Sequence, residues 1–312
     1  MNKSLAERSS TIKRLALKYG FARVGLSRAD ELTDQKNRLA EWLNLGYHGQ
    51  MHYMANHFEM RVDPRELVPG AKSVISLAYN YYSSVQISDP NTYKVSKYAY
   101  GKDYHGVIKA KLKQLLDELI SIIGSVNARV FVDSAPVLER DWAVRSGIGW
   151  MGKNTLLIHP RMGSYFFLAE IISDIEVEPD YPMQDFCGTC TRCIDACPTS
   201  AILPGGYVVD GSKCISYATI ELKSTEDIPD TFKGKMHDWI FGCDICQEVC
   251  PWNKFSKQHE EPAFEPTSDF IHWSKQKWMD MDEELFRVSF RKSALKRAKF
   301  TGVKRNLLFN NS

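Results

Sequence analysis

The eight cysteines are the most chemically informative residues of the chain, because a thiolate is a soft ligand for transition metals. They form two runs with one cysteine between them, in the order Cys187, Cys190, Cys193, Cys197, Cys214, Cys243, Cys246 and Cys250. The first four are spaced C-x2-C-x2-C-x3-C-P, and the last three are spaced C-x2-C-x3-C-P. Such spacing gathers several thiols around one small volume. The sequence therefore predicts metal binding in this segment.

The first run has the spacing of bacterial ferredoxins, in which the fourth cysteine ligates the other of two iron–sulfur clusters. Two [4Fe–4S] clusters need eight thiolates between them, and the second run is one ligand short of the full pattern. Cys214 can supply that ligand. We therefore assign one cluster to Cys187, Cys190, Cys193 and Cys250, and the other to Cys197, Cys214, Cys243 and Cys246.

Zinc and disulfides are the alternatives for such a cysteine-rich segment. Structural zinc sites use C-x2-C pairs that lie about a dozen or more residues apart, without a third cysteine and a C-P step. Disulfides need an oxidising compartment, and no secretory signal precedes this chain. The pattern therefore favours iron–sulfur clusters, which transfer single electrons.

Composition indicates a globular protein with more than one domain. The chain has 312 residues, of which 44% are hydrophobic and 25% are charged. No apolar run approaches the ~20 residues that a membrane helix needs. We expect a cytoplasmic monomer that does not bind a membrane.

Apolar periodicity predicts alternating helices and strands before the cysteines. Helices are expected over 5–19, 32–45, 105–123 and 136–146, and strands over 21–26, 73–82, 128–133, 155–158 and 165–172. This alternation predicts an α/β layer fold. A linker rich in acidic residues and proline, 176–185, then leads into the cysteines. We divide the chain into a first domain at 1–178, a cysteine domain at 179–255 and a basic C-terminal segment at 256–312.

A G-x-G-x-x-G sequence at Gly147, Gly149 and Gly152 suggests a dinucleotide-binding loop. That fingerprint needs a strand before the glycines and a helix after them. Here a helix precedes and a strand follows, so the context disagrees. The alternatives are an ordinary glycine turn or a loop that approaches another large, flat ligand closely.

Asp133 follows a predicted strand, at a position where ligands of open α/β sheets bind. Beside apolar Val132 and Ala135 its carboxyl could have a raised pKa and act as an acid. The alternative is that Asp133 caps the following helix. Position alone does not separate these two interpretations.

The last 28 residues carry eight of the 40 basic side chains and no acidic one. This asymmetry would suit an anionic polymer such as a nucleic acid. The ordinary interpretation of a basic run is a solvated helix face. Arg61 is likewise more often a surface ion-pair partner than a ligand contact.

Several segments together resemble the epoxyqueuosine reductase family. They are VDSAPVLERDWAVRSGIGWMGKNTLLI at 132–158, GSYFFLAEI at 163–171, CPTSAI in the first cysteine run, KCISYATIE at 213–221, GCDICQEVCPWN at 242–253, and the shorter RVDPREL and YGKDYH. The resemblance extends from about residue 61 to 306. Some relatives carry a helical-repeat extension beyond this point.

The resemblance implies an α/β (α+β) flavin-reductase-like domain that binds cobalamin base-off, a ferredoxin-like domain with two [4Fe–4S] clusters, and a short basic C-terminal segment. In that family Asp133 matches the proton donor and also a cobalamin contact, and the glycine loop would support the corrin pocket. Further cobalamin contacts would be Arg61, Leu157, Leu168 and Tyr217. Contacts to tRNA would come from Ser216, Arg297, Lys299, Lys304 and Arg305.

The reaction implied by the resemblance is reduction of epoxyqueuosine in the tRNA anticodon to queuosine. An external electron donor would feed the clusters, which reduce cobalt, and Asp133 would protonate the departing oxygen. Two alternatives remain open at this point. One is a cobalamin-dependent reductase of a small molecule, such as a dehalogenase, and the other is an electron-transfer module without a substrate.

Overall fold

The computed structural model describes residues 4–266 and 269–311, and within these ranges it contains eight strands. They are β1 (Arg23–Arg28), β2 (Ser73–Asn80), β3 (Lys94–Val95), β4 (Ala128–Phe131), β5 (Trp150–Met151), β6 (Leu157–Ile158), β7 (Phe166–Ser173) and β8 (Trp239–Phe241). The five strands predicted from periodicity correspond to β1, β2, β4, β6 and β7.

The described residues also form eleven α-helices. They are α1 (Leu5–Lys18), α2 (Thr33–Asn44), α3 (Phe58–Val62), α4 (Pro64–Leu67), α5 (Tyr104–Ile123), α6 (Glu139–Arg145), α7 (Arg192–Asp195), α8 (Ile245–Glu248), α9 (Lys275–Asp280), α10 (Glu283–Phe290) and α11 (Lys299–Asn310). None of these helices has the length and apolar character needed to cross a bilayer.

The first half of the chain is built on a four-stranded sheet in the order β1-β2-β7-β4, with every neighbouring pair antiparallel. Alternate residues of a strand face opposite sides of the sheet. One side is apolar, through residues such as Leu77 and Ile171, and is covered by α1 and α5. The mixed α/β character predicted from the sequence is confirmed, but the central pairing is antiparallel.

The other side of the sheet carries α6. Trp142 of this helix packs with Val74, Phe131 and Ile172. Gly25 of β1 leaves room for the helix end, because a Cβ atom there would lie 2.3 Å from the Ser146 carbonyl oxygen. The loop that leads from β4 to α6 therefore carries the chain from the sheet onto this side.

The β4–α6 loop differs from its predicted form. The helix expected to begin at Pro136 begins at Glu139, and its N-terminal cap is Leu138, which offers no capping side chain. Asp133 has φ 52°, in the left-handed region. An aspartate tolerates this conformation better than most residues. The prediction that Asp133 caps the helix is wrong, so its carboxylate is available for another role.

The C-terminal segment is a folded aromatic core and not a solvated tail. Trp278 and Phe290 are fully buried, and their rings stack at 5.7 Å between centroids. They pack with Tyr93 and Ile240, from outside the segment. Here β3 pairs in parallel with β8. Residues from both sides of the predicted domain boundary near residue 255 therefore pack in one core.

Candidate active site and cluster-binding cysteines

Four of the eight thiols surround one cavity. Its lining includes Cys187, Cys190, Cys193 and Cys250, which come from both cysteine runs. The indole Nε1 of Trp150 donates to Cys187 Sγ at 3.4 Å. Lys153 Nζ donates to the carbonyls of Gly188 and Cys190 at 2.7 and 3.1 Å. These contacts join the first run to Trp150 and Lys153 beside the cavity.

Three of the other four thiols, those of Cys214, Cys243 and Cys246, are strongly desolvated. Burial raises the pKa of Cys243 and of Cys246, and the neighbouring Cys214 thiol raises both further. Burial also raises the pKa of Cys214, with a smaller effect from Cys197. Cys214, Cys243 and Cys246 thus lie within electrostatic range of one another, and Cys197 lies within range of Cys214 and Cys246. Thiolates here need a compensating cation.

The two groups suit metal clusters by their chemistry. All eight cysteines are free thiols. The backbone N–H of Ala201 donates to Cys197 Sγ at 3.3 Å, as N–H groups do to cluster sulfurs. In the described ranges no three His, Cys, Asp or Glu side chains are arranged to hold a single metal ion. The donor sets fit two inorganic cores with four thiolates each.

The glycine-rich loop forms a hairpin beside the first group of thiols. It connects α6 to the β5–β6 pair, so it lacks the strand-to-helix setting of a dinucleotide fingerprint. A Cβ atom at Gly147 would lie 2.3 Å from the Tyr181 carbonyl, and one at Gly149 would lie 2.2 Å from that of Ile158. The glycines therefore permit close backbone packing, which places Trp150 and Lys153 against the cysteines.

Asp133 lies at the centre of a hydrogen-bonded group of polar side chains. Its Oδ2 accepts a hydrogen bond from the Tyr104 hydroxyl at 2.6 Å and lies 3.4 Å from His105 Nε2. The other ring nitrogen of His105 lies 2.7 Å from Asp103 Oδ1. The Asp133 side chain is 44% exposed, so its carboxylate also faces an open surface.

The predicted raised pKa of Asp133 is wrong. Burial alone would raise its pKa, but hydrogen bonds from His105 and Tyr104 outweigh burial and hold the pKa below its usual range. The bonds to Asp103 and Asp133 raise the pKa of His105 to about 9. At neutral pH the proton of the His105–Asp133 pair therefore resides on the imidazole.

We expect the His105 pair to stabilise the protein in a pH-dependent way. The folded pKa of about 9 exceeds the usual 6.5, so protonated His105 contributes its full stabilisation below about pH 6.5 and loses it as the pH rises through 9. Replacing His105 with Gln should destabilise the protein at pH 6 and have little effect above pH 9. Chemical denaturation across this pH range measures the difference. A constant difference at every pH would contradict the assignment.

A second group of side chains borders Asp133 from the C-terminal half. Arg297 donates to both oxygens of Glu221, at 2.8 and 3.0 Å. Burial lowers the pKa of Arg297, but the charges of Glu221, Tyr53 and Asp133 outweigh it and raise the pKa. Burial and Glu221 raise the pKa of Tyr53 to about 12. Arg297 therefore stays charged beside the Asp133 carboxylate.

Arg61 and Tyr217 hold the loop that carries Tyr53. The guanidinium of buried Arg61 donates to the carbonyls of Asn56, at 3.1 Å, and Tyr53, at 2.5 Å. The Tyr217 hydroxyl accepts from the backbone N–H of Gln50 at 3.0 Å. Both residues predicted to contact cobalamin thus shape this side of the site through its backbone.

The remaining predicted contacts are partly or fully buried. Leu157 is buried and Leu168 is partly buried in one apolar cluster on the α6 side of the sheet. Ser216 is partly buried. It immediately precedes the π-helix Tyr217–Glu221, whose last residue, Glu221, binds Arg297. A π-helical turn is frequent at functional sites.

Two of the basic residues predicted to face tRNA instead bind the chain's own carbonyl groups. Lys304 Nζ donates to the carbonyls of Met279 and Met281. Arg305 donates to four carbonyls, with its shortest bond, 2.7 Å, to Lys223. The carbonyls of the chain itself engage their donors, which gives these two side chains a structural role. Lys299 is exposed.

Replacing Arg305 with Met should therefore destabilise the fold. The change leaves the four carbonyls without their shared donor, which should cost about 2 kcal/mol or more. Lysine should restore little, because a single ammonium cannot reproduce the planar fork of donors. Chemical denaturation measures the loss. Lys299→Met is the control and should stay within about 0.5 kcal/mol of the parent. Parental stability of the Arg305 variant would contradict this role.

Sequence reasoning missed most partners of Asp133. Tyr104 and His105 belong to YGKDYH, which stands out as a dense polar stretch. Nothing in the sequence indicates that this stretch lies close to Asp133. Tyr53 and Glu221 come from segments far apart in the chain and meet only through the fold. Only the position of the polar stretch at the start of an amphipathic helix could have suggested a site.

Comparison with known proteins agrees with this arrangement. The family model for the 4Fe-4S double cluster binding domain matches residues 186–253, so the cysteine segment belongs to the class of double-cluster iron–sulfur domains. The family model described as epoxyqueuosine reductase QueG, DUF1730, matches residues 61–134, which end just past Asp133.

Whole-chain relatives extend these matches. An epoxyqueuosine reductase of Cyclobacterium marinum is 54% identical over 308 residues, covering 98% of this chain and 97% of that protein. The Escherichia coli epoxyqueuosine reductase is 39% identical and covers 89% of this chain and 76% of its own length. The chain belongs to the epoxyqueuosine reductase family, which confirms the resemblance seen in the sequence.

Solved structures of the family have the same fold. A crystal structure of epoxyqueuosine reductase with an epoxyqueuosine-modified tRNA-Tyr stem loop superposes with a TM-score of 0.88 at 32% identity, covering 97% of this chain and 80% of that one. A structure of the Bacillus subtilis enzyme, described with its catalytic aspartate loop swung out of the active site, gives 0.87 at 31% identity over 97% and 81% of the two chains.

Proposed function

We propose that this protein reduces the epoxide of epoxyqueuosine, at the wobble position of a tRNA anticodon, to the alkene of queuosine. The conversion takes up two electrons and two protons and releases the epoxide oxygen as water. The observation that carries the proposal is the Asp133 carboxylate, held by Tyr104 and His105 at an open surface in a family of this activity. The relatives' names support the substrate, and the site supports the proton chemistry.

The two groups of thiols would hold the [4Fe–4S] clusters that deliver the electrons. The first group lines a cavity together with Trp252, while Cys214 and Cys243 of the second group pack in one apolar cluster with Tyr217 and Met51. Cys214 of the second group lies seven positions before Glu221, the partner of Arg297 beside Asp133. We therefore place the second cluster nearer to the reacting centre and the first nearer to the external donor.

The residues around Asp133 fit a base-off cobalamin. Both nitrogens of His105 face carboxylates, so this histidine is positioned to hold a proton and not to ligate cobalt. Arg61 and Tyr217 would shape the binding surface through the loop backbone that they hold, and Leu157 and Leu168 would lie behind it. The bound cofactor would supply low-valent cobalt, which brings both electrons to the carbon–oxygen bond. The first domain would then be a flavin-reductase-like cobalamin domain.

The protein's own contribution to the reaction is proton transfer. His105 would pass its proton to Asp133 across their 3.4 Å contact, and Asp133 would deliver that proton to the departing oxygen. Tyr104 holds the carboxylate in place with its 2.6 Å hydrogen bond. Before the reaction the shared proton lies on His105, so His105 and Asp133 together act as a single general acid.

Recognition of tRNA would use the exposed basic face near the site. Lys296 and Lys299 are exposed and lie next to Arg297 in the chain. An anticodon loop is single-stranded, so it can turn a modified base into a pocket while basic groups hold its phosphates. Ser216 would line the same side. Lys304 and Arg305 would support this face from within.

Family membership favours this reaction over reduction of a small molecule or simple electron transfer. The small-molecule alternative predicts no affinity for RNA. A binding assay with an epoxyqueuosine-containing anticodon stem loop, at several salt concentrations, separates the two. Lys299→Ala should weaken binding and reduce the slope of log affinity against log salt by about one.

The control for this assay is Lys235→Ala, which removes an exposed lysine from the cysteine-rich segment. It should leave the salt slope unchanged. Absence of stem-loop binding by the parent protein would overturn the tRNA substrate. If the parent binds the stem loop and Lys299→Ala leaves the salt slope unchanged, Lys299 does not contact a phosphate, but the tRNA substrate is still supported.

A further inference from the structure

Glu170 is a buried carboxyl group for which the proposed reaction gives no role. It lies in the middle of β7, one of the central strands, and its side chain is 0% exposed. Neither carboxylate oxygen has an N–H or O–H donor among the described residues, but the Glu139 carboxyl lies within hydrogen-bonding reach when one of the two carboxyls is protonated. Its cross-strand neighbours are Ser76, whose buried hydroxyl also lacks a partner, and Phe131. A carboxylate is costly to bury without donors or a cation, so this position needs an explanation.

Glu139 connects the same interior to the Asp133 loop. It is the first residue of α6, which packs against the side of the sheet that carries Glu170. Its Oε1 accepts a hydrogen bond from the backbone N–H of Asp133 at 2.6 Å. Asp133 is also the residue whose backbone lies in the left-handed region. Glu139 therefore fixes the strained point of the loop by its main chain and leaves the Asp133 carboxylate free.

The charges around these two carboxyls are mainly negative. Burial and the charge of Asp133 raise the pKa of Glu139 to about 8, and Arg140 lowers it only partly. Burial and the charges of Glu139 and Asp133 raise the pKa of Glu170 well above its usual value. The partners of Glu170 on β2 and β4, Ser76 and Phe131, bring no charge. Both carboxyls are thus mainly protonated at neutral pH.

We propose that Glu139 and Glu170 are positioning residues for the reaction, a neutral pair that holds the Asp133 loop from below. Glu139 fixes the Asp133 N–H, and protonated Glu170 supports the Glu139 carboxyl from within the sheet without adding negative charge beneath Asp133. This inference rests on the proposed function in one respect, namely that Asp133 is the acid. The geometry of the pair itself is independent of the reaction.

The positioning role predicts a specific order among variants of Glu139. Glu139→Gln keeps an oxygen acceptor and mimics the protonated carboxyl, so it should retain most of the parental kcat at pH 7. Glu139→Ala removes the acceptor and should lower kcat roughly 10- to 100-fold, because a loop displaced by about 1 Å can cost that much. KM for the tRNA substrate should change little in either variant. Equal losses in both variants would overturn the role assigned to the N–H contact.

The carboxyl pair also predicts a pH-dependent stability that can be measured without turnover. A carboxyl with its folded pKa above the unfolded value binds more protons when folded, so stability falls as the pH rises above about 4.5. Glu170→Gln removes the Glu170 part of this proton uptake. Its apparent melting temperature should exceed the parent's by a few degrees at pH 8, and the two should converge near pH 4.5.

The matched control is Glu178→Gln, which removes an exposed carboxyl from the segment after β7. It should follow the parental pH profile. The melting curves are recorded on the iron-loaded protein at one fixed scan rate. If Glu170→Gln also follows the parental profile, the buried pair is ionised and the inference is wrong. The melting curves test the carboxyl pair, and conversion of the tRNA tests the proposed function. If the melting curves behave as expected but neither the parent nor any variant converts the tRNA, only the proposed function is wrong.

Discussion

Asp133→Asn is expected to lower turnover of epoxyqueuosine tRNA by ~10²- to 10⁴-fold, the range typical of a lost general acid. The substitution is structurally mild. Asparagine also tolerates the left-handed backbone at φ 52°, and its amide oxygen can accept the Tyr104 hydroxyl in place of Oδ2. Single-turnover conversion, followed by mass spectrometry of digested nucleosides, measures the rate.

A second observable separates lost acid chemistry from lost structure. Removing the Asp133 charge should lower the pKa of His105 from about 9, because one of its two carboxylate partners becomes neutral. NMR titration of the imidazole can follow this shift. Asp34→Asn, an exposed position on α2, is the control and should leave both rate and titration unchanged. A parental rate for Asp133→Asn, with cobalamin bound, would show that the proton comes from elsewhere.

Removal of single cysteines should abolish turnover, and pairs of removals should reveal the two ligand sets. Cys214→Ala is expected to lose about half of the bound iron, because each [4Fe–4S] cluster needs four thiolates. Adding Cys243→Ala should remove little more, since both thiols belong to the buried set. Adding Cys250→Ala instead should remove nearly all of the iron. Iron and sulfide analysis with EPR of the reduced protein measures these losses.

The within-set double variant also serves as the folding control. If it keeps half of the iron and the EPR signal of one cluster, the protein around the surviving thiols is intact. Equal iron loss in the two double variants would contradict the division into Cys187, Cys190, Cys193 and Cys250 on one side and Cys197, Cys214, Cys243 and Cys246 on the other.

The cysteine groups are the part of the site that sequence describes well. Ligand spacing is local, so C-x2-C-x2-C-x3-C-P carries much of the geometry within a few residues. The crossing of Cys250 into the first group is long-range, yet the ferredoxin pattern, in which the last cysteine of a run ligates the other cluster, suggests it. The structure places these four thiols around one cavity.

The electrostatics of Asp133 could not be read from its neighbours in the chain. Apolar Val132 and Ala135 suggested a raised pKa, whereas Tyr104 and His105, almost thirty residues earlier, supply the bonds that lower it. The same limit applies to the buried Glu170, which reads in the sequence as one polar residue within an apolar strand. Contacts between distant segments decide the protonation of both groups.

The basic C-terminal segment shows a different limit. Its charge asymmetry is real, but composition does not distinguish an exposed lysine from one that binds carbonyls inside the fold. The aromatic residues around Trp278 signal a core, and this core positions Arg305 and Lys304 inward. Net charge predicts a class of partner here, whereas packing decides which side chains can reach it.

Anaerobic turnover of epoxyqueuosine-containing tRNA by the iron-loaded protein, with and without added cobalamin, tests the central claim most directly. With cobalamin and a reductant, the modified nucleoside should lose the mass of one oxygen atom, and without cobalamin it should remain unchanged. Conversion that is equally fast without cobalamin, or no conversion when both clusters and cobalamin are present, would contradict the account.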